Sequence, residues 1–210
     1  DQHYAYLGQS LVNAGDVNGD DYDDLLVGVP YFDNGETNEG QAWVLFGGSD
    51  GLSDTPDWTF ENDDPDGRVG WSVAGAGDVN GDGFADILVG SHGLGGCDEG
   101  RAYLFGGGTD GPAAEAMWTQ TGDCDRRYVG SSVAGIGDIN ADGYADFAVG
   151  RAPHDRSGSH SYEGGEFWIY LGGEGASGVH KEYKGHYHGW YDDTGTSISP
   201  AGDLNGDGYA

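Results

Sequence analysis

Four times in 210 residues an aspartate is followed, at two-residue spacing, by an asparagine and a second aspartate: Asp16, Asn18, Asp20; Asp78, Asn80, Asp82; Asp138, Asn140, Asp142; and Asp203, Asn205, Asp207. In the first three copies a carboxylate returns at position nine, as Asp24, Asp86 and Asp146. Alternate residues of a tight turn point to one side, so positions one, three and five offer oxygens to a common centre. The main-chain carbonyl at position seven (Tyr22, Phe84, Tyr144, Tyr209) can add another. Hard, largely anionic oxygens suit Ca2+, whereas Mg2+ demands a stricter octahedron and keeps more water. The reading is three complete Ca2+ sites and a fourth that ends at Ala210, one residue short of position nine. An EF-hand shares the opening but needs Glu at position twelve between helices. Val27, Val89 and Val149 stand there, inside apolar runs. The competing account, solvated Asx-turns, gives no reason for four copies in one register. Two copies depart from the pattern without losing a ligand: Asp21 replaces glycine at position six of the first loop, and Ala141 takes position four of the third.

The elements that must hold these loops repeat with them. The first aspartates lie 62, 60 and 65 residues apart. Eight residues before each stands a glycine (Gly8, Gly70, Gly130, Gly195), and two further on a serine (Ser10, Ser72, Ser132, Ser197). Each complete unit reads as four strands. The first is small and glycine-rich ("SLVNAG", "SVAGAG", "SVAGIG"), the second apolar ("DLLVG", "DILVG", "DFAVG"). The third is aromatic ("QAWVLF", "RAYLF", "EFWIYL"), and the fourth carries Trp58, Trp118 and Tyr183 at matching places. Small residues suit an innermost strand where units converge, and bulky ones suit strands further out. A radial array of such sheets also deals with unpaired edges. The expected fold is all-β, a β-propeller of four-stranded blades. The blades run at about 8–62, 70–122 and 130–187, with a fourth beginning at about 195–210, so that residues 1–210 form a partial propeller. The remainder is expected in the parent protein or another chain.

From the glycine that opens strand three (Gly40, Gly100, Gly165) to the next loop's aspartate is always 38 residues, so all length variation falls between loop and strand three. The metal loops and the turns after strand three therefore share a constant rim. The strand two–three loops and the inter-blade links share a variable one, where recognition is expected. That rim gathers His92, His154, His160, His186 and His188 with Tyr31, Phe32, Tyr187, Trp190 and Tyr191. These can stack on a sugar or anchor a protein partner, or serve as ordinary loop packing; His186 and His188 could also share a transition metal. Cys97 and Cys124 fall on the same rim, either as a disulfide or as two free thiols.

The composition sets bounds on function. There are 37 acidic residues against 8 basic, a net charge of −29 and 43 glycines without a collagen period. Such a field repels nucleic acid and anionic membranes and attracts cations. No apolar run is long enough to insert in a membrane. An even pair of cysteines fits an extracellular or cell-surface setting. No catalytic residues emerge: "GWSVA" and "GSSVA" lack the closing glycine of a nucleophile elbow, and "GAGDVNG" would repel a phosphate.

The stretch "VGWSVAGAGDVNGDGFADILVG…GRAYLFGG" resembles the FG-GAP repeat of integrin alpha-subunit propellers and their bacterial relatives. The resemblance covers essentially the whole chain. It implies a seven-bladed propeller with Ca2+ in the hairpins between strands one and two, held by the residues named above. Here "FG" becomes "LG" or "VG", and "GAP" becomes "GVP", "GSH" and "GRAP". The functional expectation is an extracellular calcium-binding recognition or adhesion module, with a protein or carbohydrate ligand on the rim opposite the loops. The alternative is the propeller domain of a secreted carbohydrate-active enzyme, lyase or hydrolase.

Overall fold

The computed structural model describes residues 2, 4–93, 99–122, 128–152, 165–174, 180–186 and 194–203. Among the described residues, twelve strands form three four-stranded antiparallel sheets, each with its strands in sequence order. The first sheet holds β1 (Ser10–Gly15), β2 (Asp24–Val29), β3 (Gln41–Leu45) and β4 (Trp58–Phe60). The second holds β5 (Val69–Gly77), β6 (Asp86–Ser91), β7 (Arg101–Phe105) and β8 (Trp118–Thr121). The third holds β9 (Val129–Gly137), β10 (Asp146–Arg151), β11 (Glu166–Leu171) and β12 (His180–His186). Successive first strands pack side by side, β1 on β5 and β5 on β9, so the sheets meet along their small-residue edges like blades of an all-β propeller.

Both faces of the middle strands are covered, which explains their continuous apolar runs. Leu26 and Val44 of the first sheet pack against Ile87, Val89, Tyr103 and Phe105 of the second. Leu88 and Leu104 then pack against Phe147, Val149, Trp168 and Tyr170 of the third. Aromatics of the fourth strands reach into the next blade: Trp58 meets Phe105 edge-on at 5.0 Å, and Trp118 meets Tyr170 at 4.7 Å. Such pairs add about 0.5–1.5 kcal/mol each beyond the area they bury.

The repeated glycines and serines have a tertiary cause. A Cβ on Gly28, Gly90 or Gly150 would stand inside 3.0 Å of the backbone carbonyl of Gly70, Gly130 or Gly195, each opening the following unit. Those opening glycines share φ of +79 to +80°, a left-handed conformation costly for other residues. Ser72 Oγ donates to the Gly130 carbonyl and Ser132 Oγ to that of Gly195, both at 2.8 Å, so the register serine fastens one unit to the next.

Four strands differ in length from expectation. β5 and β9 begin earlier than the glycine-rich runs suggested, because Val69 and Val129 bridge in parallel to Gly40 and Gly100 of the preceding blade. The fourth strand of the first sheet is only three residues, whereas β12 runs to seven. Cys97 and Cys124 lie outside the described residues, as do His154, His160, Tyr187, His188, Trp190 and Tyr191.

Candidate metal centre

Each of the first three D-x-N-x-D segments joins the first and second strand of its sheet, and the first aspartate folds the turn around its own carboxylate. Asp78 Oδ1 accepts the N–H groups of Gly81 (2.7 Å) and Asp82 (3.1 Å), and Oδ2 that of Gly83 (2.9 Å). Asn80 Oδ1 accepts from Asp82 N (2.8 Å), and Asp82 Oδ1 from Phe84 N (3.0 Å). The first loop repeats this set with Asp16, Asn18 and Asp20. The third repeats it with Asp138, Asn140 and Asp142, save for the bond at position four, where Ala141 stands. Asp21 and Ala141, the two departures from the pattern, take φ of +71° and +64° where most loops use glycine. In the fourth copy only Asp203 is described; Asn205, Asp207 and Tyr209 lie outside the described residues.

The position-nine aspartate does a job that spacing alone did not show. Asp86 Oδ2 accepts from Val79 N at 2.8 Å, and its Oδ1 from Gly107 N at 3.0 Å, pinning the loop to the end of strand three. Asp24 does the same with Val17 and Gly47, and Asp146 with Ile139 and Gly172. These bonds place the loops and the turns after strand three on one rim. Across the blade, Tyr31 N donates to Ala5 O and Gly93 N to Gly67 O, which places the inter-blade links beside the strand two–three loops.

Electrostatically the loops are unbalanced. Asp86 and Asp146 are fully buried and Asp24 nearly so. Burial, reinforced by the neighbouring Asp82 and Asp78, outweighs the two backbone hydrogen bonds and pushes the Asp86 carboxyl up to about 7. Asp24 and Asp146 are raised by the same causes in the same order. No Lys or Arg among the described residues forms an ion pair with these aspartates of the first three loops. No three His, Cys, Asp or Glu side chains among the described residues are gathered tightly enough to hold a metal by themselves. What each loop presents is a mixed set of carboxylate, amide and main-chain oxygens. Asp16 Oδ1 and Asp78 Oδ1 each accept two N–H groups, but every other carboxylate oxygen of these loops accepts at most one and keeps a further lone pair, so this donor set fits a hard cation such as Ca2+.

On the opposite rim, the structure assembles an aromatic ladder that the sequence hinted at only in part. Tyr6 meets Tyr31 at 5.0 Å, Tyr31 meets Trp71 at 6.5 Å, and His92 lies between Trp71 (4.3 Å) and Tyr128 (4.4 Å). The Arg68 guanidinium lies 5.5 Å from the centre of the Tyr31 ring. Tyr6, Arg68 and Tyr128 occupy equivalent positions, two before each opening glycine, and all have positive φ. Phe32 instead turns inward against Trp43, at 5.7 Å. His186 ends β12. Glu39, unnoticed in the sequence, is fully buried and accepts the N–H groups of Asn34 and Glu36, closing the loop between β2 and β3.

Comparison with known proteins agrees with this architecture. The FG-GAP repeat matches residues 7–45, 69–105 and 129–170. Integrin alpha-5 of Xenopus laevis is 34% identical over 159 residues, covering 71% of this chain and 15% of that protein. Integrin alpha-PS2 of Drosophila melanogaster is 34% identical over 166 residues, covering 72% and 12%. Integrin alpha pat-2 of Caenorhabditis elegans is 32% identical over 165 residues, covering 71% and 13%. The chain thus spans about one seventh or less of the length of these relatives. With three matched repeats laid on three equivalent sheets, the chain belongs to the FG-GAP repeat family, as an integrin-alpha-like propeller.

Proposed function

We propose that this chain is the calcium-stabilised part of an extracellular or cell-surface adhesion propeller. In this reading Asp16, Asn18, Asp20, Tyr22 and Asp24 serve one ion. Asp78, Asn80, Asp82, Phe84 and Asp86 serve a second, and Asp138, Asn140, Asp142, Tyr144 and Asp146 a third. The aromatic at position seven contributes its main-chain oxygen. Asp203 opens a fourth site of the same design. The carrying observation is the uncompensated charge: three loops of one geometry each bring a buried aspartate beside two others without a basic partner. Ca2+ supplies that missing charge and holds the first two strands of each blade to the turn after the third.

The sheets at about 8–62, 70–122 and 130–187 are successive blades, and the stretch from about 195 opens a fourth. The bond from Ser132 to Gly195 supports that assignment, because it repeats the bond from Ser72 to Gly130. The rest of the ring belongs to the larger protein. Its protein or glycan ligand docks on the rim carrying the aromatic ladder, away from the metal loops.

Thermal unfolding in millimolar Ca2+ and in excess EDTA tests the metal assignment. Each filled site should add about 3–4 kcal/mol at 100–1,000 times its Kd, against a typical domain stability of about 5–15 kcal/mol. The melting temperature should therefore drop steeply on chelation. An identical melt in both buffers would overturn the assignment.

A further inference from the structure

We propose that neighbouring loops take up calcium cooperatively, coupled by the Phe84–Ala85 and Tyr144–Ala145 peptide units and by the rings of Phe84 and Tyr144; this rests on the calcium reading above. The Ala85 N–H donates to the Asp16 carbonyl at 3.0 Å, and the Ala145 N–H to the Asp78 carbonyl at 2.9 Å. Each bond runs from one loop to position one of the loop before it. The carbonyl of the same planar peptide unit is the position-seven oxygen assigned to the ion of its own loop. One rigid group therefore presents its oxygen to one loop and its hydrogen to the preceding one.

The side chains follow the same path. A Cβ on Gly19 would fall inside 3.0 Å of the Phe84 ring, and one on Gly81 inside 3.0 Å of the Tyr144 ring. Each ring lies on the position-four glycine of the previous loop. Further bonds join the same partners, from Gly108 N to Val17 O (3.0 Å) and from Gly173 N to Val79 O (2.9 Å). The arrangement is the same at both blade junctions. Fixing Phe84 in a filled second loop also fixes the ring that lies on Gly19 and, through the bond to the Asp16 carbonyl, the backbone of the first loop, so the first loop has less disorder left to lose on filling. Tyr22, the position-seven residue of the first loop, stands 45% exposed and serves as an internal control.

The test is a calorimetric titration of the metal-stripped chain with CaCl2, comparing wild type with Phe84→Leu, Tyr144→Leu, Phe84→Tyr and Tyr22→Leu. None removes a ligating side chain. Wild type should show a Hill slope of about 1.5–2, bounded above by the number of coupled sites. Phe84→Leu and Tyr144→Leu should each lower the slope towards 1, the value for independent sites, without changing the stoichiometry, while the other junction and the peptide units retain the rest of the coupling. Phe84→Tyr, which restores the residue of the sister loops, should keep the wild-type slope, and so should Tyr22→Leu. If Phe84→Leu fails to fold by circular dichroism, Tyr144→Leu carries the comparison at the other junction. Calcium uptake by wild type with a slope of 1, an unchanged slope in the folded leucine variants, or an equal loss in Tyr22→Leu each overturns the coupling while leaving the calcium reading intact. No calcium uptake by wild type overturns the calcium reading and the coupling together.

Discussion

At the scale of the residue, Asp86 shows how one side chain can be a liability or a support depending on its counter-charge. Its carboxyl is raised from 3.8 to about 7 by burial, so the metal-free fold favours the protonated form. The stability this contributes is fully present below pH ~4 and is lost as pH rises through about 7. In EDTA the melting temperature should therefore fall from about pH 4 to about pH 7 and level off above that. In saturating Ca2+ the same span should be flat or rising, because the ionised carboxylate then has its partner. Asp86→Asn separates the two regimes. The amide should raise the melting temperature in EDTA at pH 8 and lower it in Ca2+ at the same pH. A shift of one sign in both buffers would mean that Asp86 acts only through its hydrogen bonds to Val79 and Gly107.

At the scale of the element, the inner strands are limited by space and the loops by backbone conformation. Gly90 lies where a Cβ would meet the Gly130 carbonyl and Ser72 Oγ inside 3.0 Å, with no flexible group able to clear the backbone contact. Gly83, at φ +92°, has nothing within 4 Å of its Cβ position. Gly90→Ala should cost about 3 kcal/mol or more by overpacking a blade junction. Gly83→Ala should cost about 1–2 kcal/mol by left-handed strain alone. Urea unfolding midpoints at constant slope measure both, and equal losses would show that the junction relaxes more readily than its backbone contacts imply.

At the scale of the whole molecule, charge repulsion adds to the chain entropy that works against the fold. A net charge of −29 on 210 residues opposes compaction, and the loops gather part of it at one rim. Screening should substitute partly for calcium. Raising NaCl from about 10 mM to about 0.5 M shortens the Debye length from about 30 Å to a few ångströms. It should raise the melting temperature in EDTA and change it little in Ca2+. A salt response of equal size in both buffers would place the repulsion outside the loops.

The amino-acid sequence by itself determined the repeat, the all-β architecture and the strand order within a blade. These are local properties: a two-residue spacing, a period near sixty residues, and the alternation of small and bulky strands are set by neighbours along the chain. The rest depends on which blade lies beside which. The reason for the register glycines and serines appears only where Gly28 meets Gly70 and Ser72 reaches Gly130. The same holds for the ladder from Tyr6 to Tyr128 and the seating of Phe84 and Tyr144 on the preceding loop. Contacts between groups in different blades leave no spacing signature within a unit, and close packing alone decides which side chains meet.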